Sequence, residues 1–272
     1  MNKKILAVLL TAYAMFSANC SAYAEEALTP IPKIVNEWTF DVTPYVWGSN
    51  INSTLNYKGK YLNTADVTMN DIISNLKSGG MIAGEARYGS WGIMADLVSA
   101  TLQNSGTAPV TPAPGYNFKV AYKPTLQQTI LTGAATYNFI NNQDATVDGL
   151  LGVRWISMTA TLNLALDGTN YSLSDSKTVS TVDPIAGFKG RYRLAGSNWY
   201  IPFYADIGSG GGTTNVTWQA MAGIGKTIEK WVDVSLVYRS LYYDMNSSKT
   251  NGAGLLQKTT FQGPQLSATF HF

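Results

Sequence analysis

The sequence predicts an all-β fold, a single antiparallel transmembrane β-barrel of about ten strands (roughly 8–12), on three observations. Apolar and polar side chains alternate with a two-residue period along most of the chain, the rhythm of strands whose two faces meet different surroundings. The alternating segments are joined by connections that are short at one end and long at the other. Charged residues make up only 13% of the 272, while Trp (7) and Tyr (16) are plentiful and mean hydropathy is -0.03. That charge content is about half that of a typical soluble domain. Past the N-terminus no apolar run approaches the ~20 residues of a membrane helix. Sparse charge with neutral hydropathy fits strands with one face in lipid and the other in water.

The elements follow in chain order. Residues 1–24 read as a cleaved signal peptide: Lys3 and Lys4, the apolar "ILAVLLTAYAMF", then Ala22-Tyr23-Ala24 as an A-x-A cleavage site. Cys20 raises a lipoprotein alternative, but Asn19 before it is a poor lipobox residue. Cleavage after Ala24 removes the one cysteine, so the exported chain forms no internal disulfide. Removing Lys3 and Lys4 from the 19 basic residues leaves 17 against 17 acidic ones, with no bulk charge to attract nucleic acid. Residues 25–36 are expected to be a short periplasmic segment and 37–272 the barrel, as one domain.

Strands are predicted near 37–56, 79–88, 91–104, 125–139, 146–163, 178–193, 198–209, 214–227, 231–245 and 258–272. Most reach the ~9–11 residues that cross a bilayer when tilted. Short turns fall at 89–90, 140–145, 194–198 and 228–230; long polar stretches fall at 57–78, 105–124, 164–177 and 246–257, and only "GSGGG" (208–212) breaks the rule. This asymmetry puts the turns, and with an even strand count both termini, on the periplasmic side of an outer membrane. In the last strand, "GPQLSATFHF", Pro264, Leu266, Ala268, Phe270 and Phe272 alternate with polar residues. Leu266, Phe270 and Phe272 are expected to form a C-terminal assembly signal. Trp38, Tyr88, Trp91, Tyr192, Trp199 and Trp218 are expected to be interface aromatics. A soluble β-sandwich also alternates, but long strands, terminal Trp and Tyr and the closing Phe disfavour it.

If the apolar rows face lipid, the other rows fill the lumen. They carry Asp41, Glu85, Arg87, Asp96, Asp148, Arg154, Asp183, Lys189, Arg191, Arg193, Asp206, Asp233 and Arg239, with His271 a further candidate. On the lipid face each Arg or Lys would cost about 2–4 kcal/mol at mid-membrane. A barrel this narrow is largely filled by side chains, so an ion-paired network is expected, with a water-filled pore as the alternative. Around "RWISM" (154–158) the apolar parity changes, from Leu151 and Val153 to Ile156 and Met158, which predicts a β-bulge near Trp155. In "TMNDIISNLKSGG" (68–80), Met69, Ile72, Ile73 and Leu76 have helical spacing, with Thr68 or Asn70 as cap and Gly79-Gly80 as stop.

Catalytic patterns are weak. The one histidine, His271, lies at the expected periplasmic end, away from an outer-leaflet substrate, and without Cys a thiolate nucleophile or zinc site is excluded. "GSGGG" lacks the Lys-Ser/Thr of a phosphate loop. No cofactor or metal is expected.

The stretches "TPYVWGSNINST" (43–54), "EARYGSWGIMADL" (85–97), "DPIAGFKGRYRL" (183–194), "ADIGSGGGTTNVTWQAMAGIG" (205–225) and "VYRSLYYDM" (237–245) resemble an uncharacterised family of small outer-membrane β-barrel proteins of Gram-negative bacteria. "IGKTIEKW" stands where that family's pattern has an aromatic-rich ending. The resemblance implies the barrel fold and outer-membrane location but no activity. The expected function is thus an outer-membrane barrel with a structural or interaction role. The alternatives are a small, porin-like diffusion channel for polar or amphiphilic solutes and, third, a hydrolase. Expected partners are outer-membrane lipid, lipopolysaccharide and the barrel-assembly machinery, with no nucleic acid.

Overall fold

Alternation along these segments builds one closed wall. The computed structural model describes residues 28–57, 60–113, 116–166, 171–194, 196–209, 214–246 and 255–272. The expected signal peptide, 1–24, lies outside them. In chain order the elements are β1 (Trp38–Trp47), β2 (Asn50–Tyr57), β3 (Lys60–Val67), α1 (Met69–Asn75), β4 (Leu76–Tyr88), β5 (Trp91–Gln103) and β6 (Gly106–Ala113). There follow β7 (Tyr116–Asn141), β8 (Ala145–Leu166), β9 (Ser172–Arg193), β10 (Trp199–Gly208), β11 (Thr214–Glu229), β12 (Val232–Asn246) and β13 (Leu255–His271). Ten of these, β1, β4, β5 and β7 to β13, pair antiparallel with their neighbours, and β1 pairs with β13 to close the ring. The closing bonds run both ways, Phe40 N–H to the Phe272 carbonyl at 3.0 Å and Phe272 N–H to the Phe40 carbonyl at 2.9 Å. Closure leaves no strand edge exposed to hydrocarbon at this level, the condition for sheet structure in a bilayer.

The turns predicted at 89–90, 140–145, 194–198 and 228–230 lie at the end that also holds Trp38 and His271, while the β10–β11 connection lies at the other. Gly89 turns β4 into β5 at φ +58° and Gly196 turns β9 into β10 at φ +67°, backbone positions that suit a residue without Cβ. At the other end the wall extends beyond the closed ring. The stretches read as long loops contain ordered strand: β2 and β3 form a hairpin beside β13, and β6 pairs with β7. β7 has 26 residues and β8 and β9 have 22 each, about twice what a tilted span consumes. Along β9 both faces are exposed from Ser172 to Ser180, and the period-2 signal fades there.

The two faces of the wall are sharply distinct. Val46 (69%), Trp91 (64%) and Leu151 (70%) stand outward and exposed, while Arg154 and Asp183, on the opposite parity, are 0% exposed. Two expectations are corrected. No bulge interrupts β8 at Trp155, because its ladders with β7 and β9 run from Leu150 to Ala165 without a register shift. Trp155 continues the outward row of Leu151 and Val153, and Ile156, 1% exposed, points into the lumen. The parity of apolar residues changes because the lumen itself turns apolar. The second correction concerns α1, which starts at a Thr68 capping box with Asp71 but ends at Asn75. Gly79 and Gly80 lie within β4 and do not stop the helix.

Candidate functional site: a tiered lumen

Strand parity aims one charged row per strand inward, and the register stacks these rows into tiers. Nearest the turns, His271 on β13 places Nδ1 2.7 Å from Asp41 Oδ1 and Nε2 3.0 Å from Asp233 Oδ2. Arg191 on β9 pairs with the same Asp233 at 2.5 Å and lies over the Tyr200 ring at 4.7 Å. Beside this tier, Glu85 and Asp148 share Arg87 and Lys189: Arg87 reaches Glu85 at 2.8 Å and Asp148 at 2.5 Å, and Lys189 pairs with Glu85. Asn138 Nδ2 donates to Asp148 Oδ1 at 2.7 Å.

Midway up the wall, Arg154 makes two N–H bonds to the Asp206 carboxylate and donates to Thr132 (3.3 Å) and Thr217 (3.2 Å). Tyr204 donates its hydroxyl to Asp206 at 2.5 Å, and Asp183 faces Arg154 across the β8–β9 ladder. At a similar depth Arg239 donates to Asp96 (2.6 Å), Gln219 (2.8 Å), Tyr45 (3.0 Å) and Gln265 (3.2 Å). Buried guanidinium groups survive in such a setting only with their donors engaged by several acceptors. Arg193 differs from the rest of its predicted set. Its guanidinium bonds the carbonyls of Gly196 (2.6 Å) and Ser197 (2.7 Å), fastening the β9–β10 turn and joining no carboxylate shown.

Above Arg239 the lumen is filled by an apolar cluster of Tyr45, Trp47, Val98, Ile130, Ile156, Leu241, Tyr243, Met245 and Phe261, with Ile51, Met81 and Ala83 packed against it. Arg239 lies under the Trp47 ring at 4.6 Å, so the two zones meet in a cation–π contact. Below, residues 28–33 enter the mouth. Pro30 and Ile31 are buried, Arg191 donates to the Pro30 carbonyl at 3.3 Å, and Asn141 donates to the Pro32 carbonyl at 3.0 Å. Between these two closures lies a chamber of about 630 Å3, reaching from Leu28–Lys33 up to Arg239.

Sequence reasoning missed the Tyr, Gln and Thr partners, the apolar cluster and the inserted segment. The first were legible from parity, since Tyr45, Gln219 and Gln265 share faces with Asp41, Thr217 and Ser267. The other two had no local signal. Of the interface aromatics, Trp38, Tyr88, Trp91, Tyr192 and Trp199 stand outward in the belt nearest the turns; Trp38 and Tyr88 meet at 5.6 Å. Trp218 stands at the opposite end of the β10–β11 ladder, stacked with Tyr242 at 6.0 Å. Leu266 and Phe272 stand outward, and Phe270 stacks on Trp231 at 6.0 Å. Among the described residues no group of three or more His, Cys, Asp and Glu is arranged to hold a metal ion.

Comparison with solved structures finds outer-membrane barrels. The chain is similar to the outer membrane protease OmpT from Escherichia coli, at 9% identity over 89% of this chain and 99% of that one, with a TM-score of 0.56. It is also similar to Ail, the attachment invasion locus protein of Yersinia pestis, at 10% identity over 86% and 98% of the two chains, with a TM-score of 0.35. The first likeness carries the fold, a closed ten-stranded antiparallel barrel of outer-membrane type. No protein-family model and no curated protein matches the chain, so the family-level resemblance rests on the quoted stretches alone.

Proposed function

We propose that this protein resides in the outer membrane as a closed, non-conducting, non-enzymatic barrel that anchors its projecting ribbons for contacts outside the cell. The observation that carries the reading is the filling of the upper lumen by Trp47, Tyr243, Phe261 and their neighbours. Leu28–Lys33 line the lower mouth, with Pro30 and Ile31 buried in it. Between them, charges are spent on one another: Arg154 with Asp206, Arg239 with Asp96, Arg191 with Asp233. A permeant ion would have to displace these pairs and then cross an apolar plug, and both steps are costly. His271 has both ring nitrogens beside carboxylates and no hydroxyl partner among the described residues, which gives no support to the hydrolase reading. β7, β8 and β9 supply projecting surface well beyond what spanning requires. Planar-bilayer recording of the refolded chain tests this. A silent bilayer is the expected result, and steady openings that change with Arg239→Ala would favour the channel.

A further inference from the structure

The wall is closed only in its lower part. β1 pairs with β4 from Trp38↔Tyr88 to Pro44↔Ile82, and there the ladder stops. β4 runs on to Leu76 with β5 as its one partner, while the other rim passes through Gly48 and Ser49 into β2, whose outer neighbour is β3. No ladder joins β3 to β4 among the described residues. Where a carbonyl of β4 would receive it, the Trp47 backbone N–H meets the Met81 sulfur at 3.2 Å. Counting about 2.5 Å of height per tilted residue, the split opens about 15 Å above Trp38, within the outer half of a ~25 Å apolar band.

α1 crosses this gap. Its first residue is tied to the β1–β2 corner, with Met69 N–H donating to Asn50 Oδ1 at 2.8 Å and the Met69 side chain lying on Gly48. Its last residue leads directly into Leu76 of β4. Seven residues of helix span about 10 Å, close to two interstrand spacings, so α1 bridges a gap the width of an absent strand. The bridge is light: none of its residues is buried, and Ile73 and Leu76 stand exposed. The strands on either side of the split carry Met81, Ile51 and Trp47 of the apolar cluster. Met69 and Met81 are unbranched side chains able to repack around a guest. The Trp47 indole N–H, in a residue only 4% exposed, has no acceptor among the described residues.

We infer that the split between the β1–β2 corner and β4 is a lateral portal, gated by α1, through which a single-chain amphiphile from the outer leaflet wedges its acyl chain against Trp47, Ile51 and Met81 at the edge of the apolar cluster, which part to admit it. The occupant's class follows from where the opening faces. It opens onto hydrocarbon, its rims carry Trp47, Ile51 and Met81 of the apolar cluster, and its inner lip offers the neutral Trp47 indole N–H for an oxygen of the head group. The route is sideways, so it stands whether or not the barrel axis conducts.

The test is photolabelling in vesicles of phosphatidylethanolamine and phosphatidylglycerol, with palmitic acid carrying a diazirine near its methyl end. Labelled residues are mapped by mass spectrometry. The expected result is labelling of inward Trp47, Ile51 and Met81 as well as outward Ile82 and Leu97. A Gly48→Cys/Met69→Cys pair in a Cys20→Ser background locks the gate. Met69 Cγ, where a cysteine sulfur would sit, is 3.5 Å from a Cβ built on Gly48. Inward labelling should be lost on oxidation and return on reduction. If the locked variant fails to fold, Met81→Trp, which fills the portal from within, should give the same loss. Labelling confined to outward rows overturns the proposal, as does inward labelling that neither variant reduces.

Discussion

Replacing Arg154 with Met should be among the most destabilising single changes in the barrel. Arg154 is 0% exposed and gives the Asp206 carboxylate two N–H bonds, besides its bonds to Thr132 and Thr217. Without it, Asp206 keeps the Tyr204 hydroxyl, and Asp183, also 0% exposed, faces methionine where it faced a guanidinium. Removing one partner of a buried pair costs about 3–5 kcal/mol, mostly because the remaining charge is stranded. The double variant Arg154→Met/Asp206→Leu strands one carboxylate fewer. It should therefore be more stable than Arg154→Met alone, with a coupling of about 2 kcal/mol. Lys258, with its side chain 57% exposed and 4.0 Å from Asp244, is the control; Lys258→Ala should change stability by less than about 1 kcal/mol. Reversible urea unfolding in lipid vesicles, followed by tryptophan emission, measures the wild type, Arg154→Met, Asp206→Leu, the double variant and Lys258→Ala. A cost below about 1 kcal/mol for Arg154→Met, or strict additivity in the cycle, would refute the claim that this pair bears on stability through stranded charge.

Other expectations can be checked with the same preparation. A Cβ at Gly152 would lie 2.1 Å from the Gly133 carbonyl, so Gly152→Ala should lower stability by about 1–3 kcal/mol, whereas Gly80→Ala, with nothing within 4 Å, should be near neutral. Phe272 is 74% exposed and stands outward, so Phe272→Ala should cost no more than the lost lipid contact, at most about 2 kcal/mol, while lowering outer-membrane yield in cells; equal yield would remove its role as an assembly signal. The Thr68 hydroxyl and backbone N–H hold the Asp71 carboxyl below its usual range. A depressed carboxyl stabilises the fold above its unfolded pKa of about 3.9 and loses that effect as pH falls through the lower folded value. A spin label at Ser74 should therefore become mobile below about pH 4, and Asp71→Asn should abolish the pH dependence.

The sequence was most informative where the wall separates lipid from lumen. Trp199, Ile201 and Ile207 stand outward and Tyr200, Tyr204 and Asp206 inward, as a period of two requires. The same period is blind to which medium lies on each side. Ile156 was misread for that reason: an apolar residue facing an apolar lumen is indistinguishable, in one dimension, from one facing lipid after a bulge. Pro30, Ile31 and Pro32 carry no periodic signal at all, and their place is settled by the Pro30 and Pro32 carbonyls, which accept from Arg191 and Asn141 far along the chain. β2, β3 and β6 were hidden by polar composition. The split above Pro44 was invisible too, because it depends on which strand stops pairing with which.

The ion pairs also say something about how the wall must be completed. Asp96 waits for Arg239, 143 residues later, and Asp41 waits for His271, 230 residues later. A half-inserted ribbon would carry these carboxylates without their partners into hydrocarbon, at a cost of several kcal/mol each. Partial insertion is therefore a poor resting place. The chain is expected to enter the bilayer as a nearly rounded sheet, and the meeting of its first and last staves is the event after which retreat becomes slow.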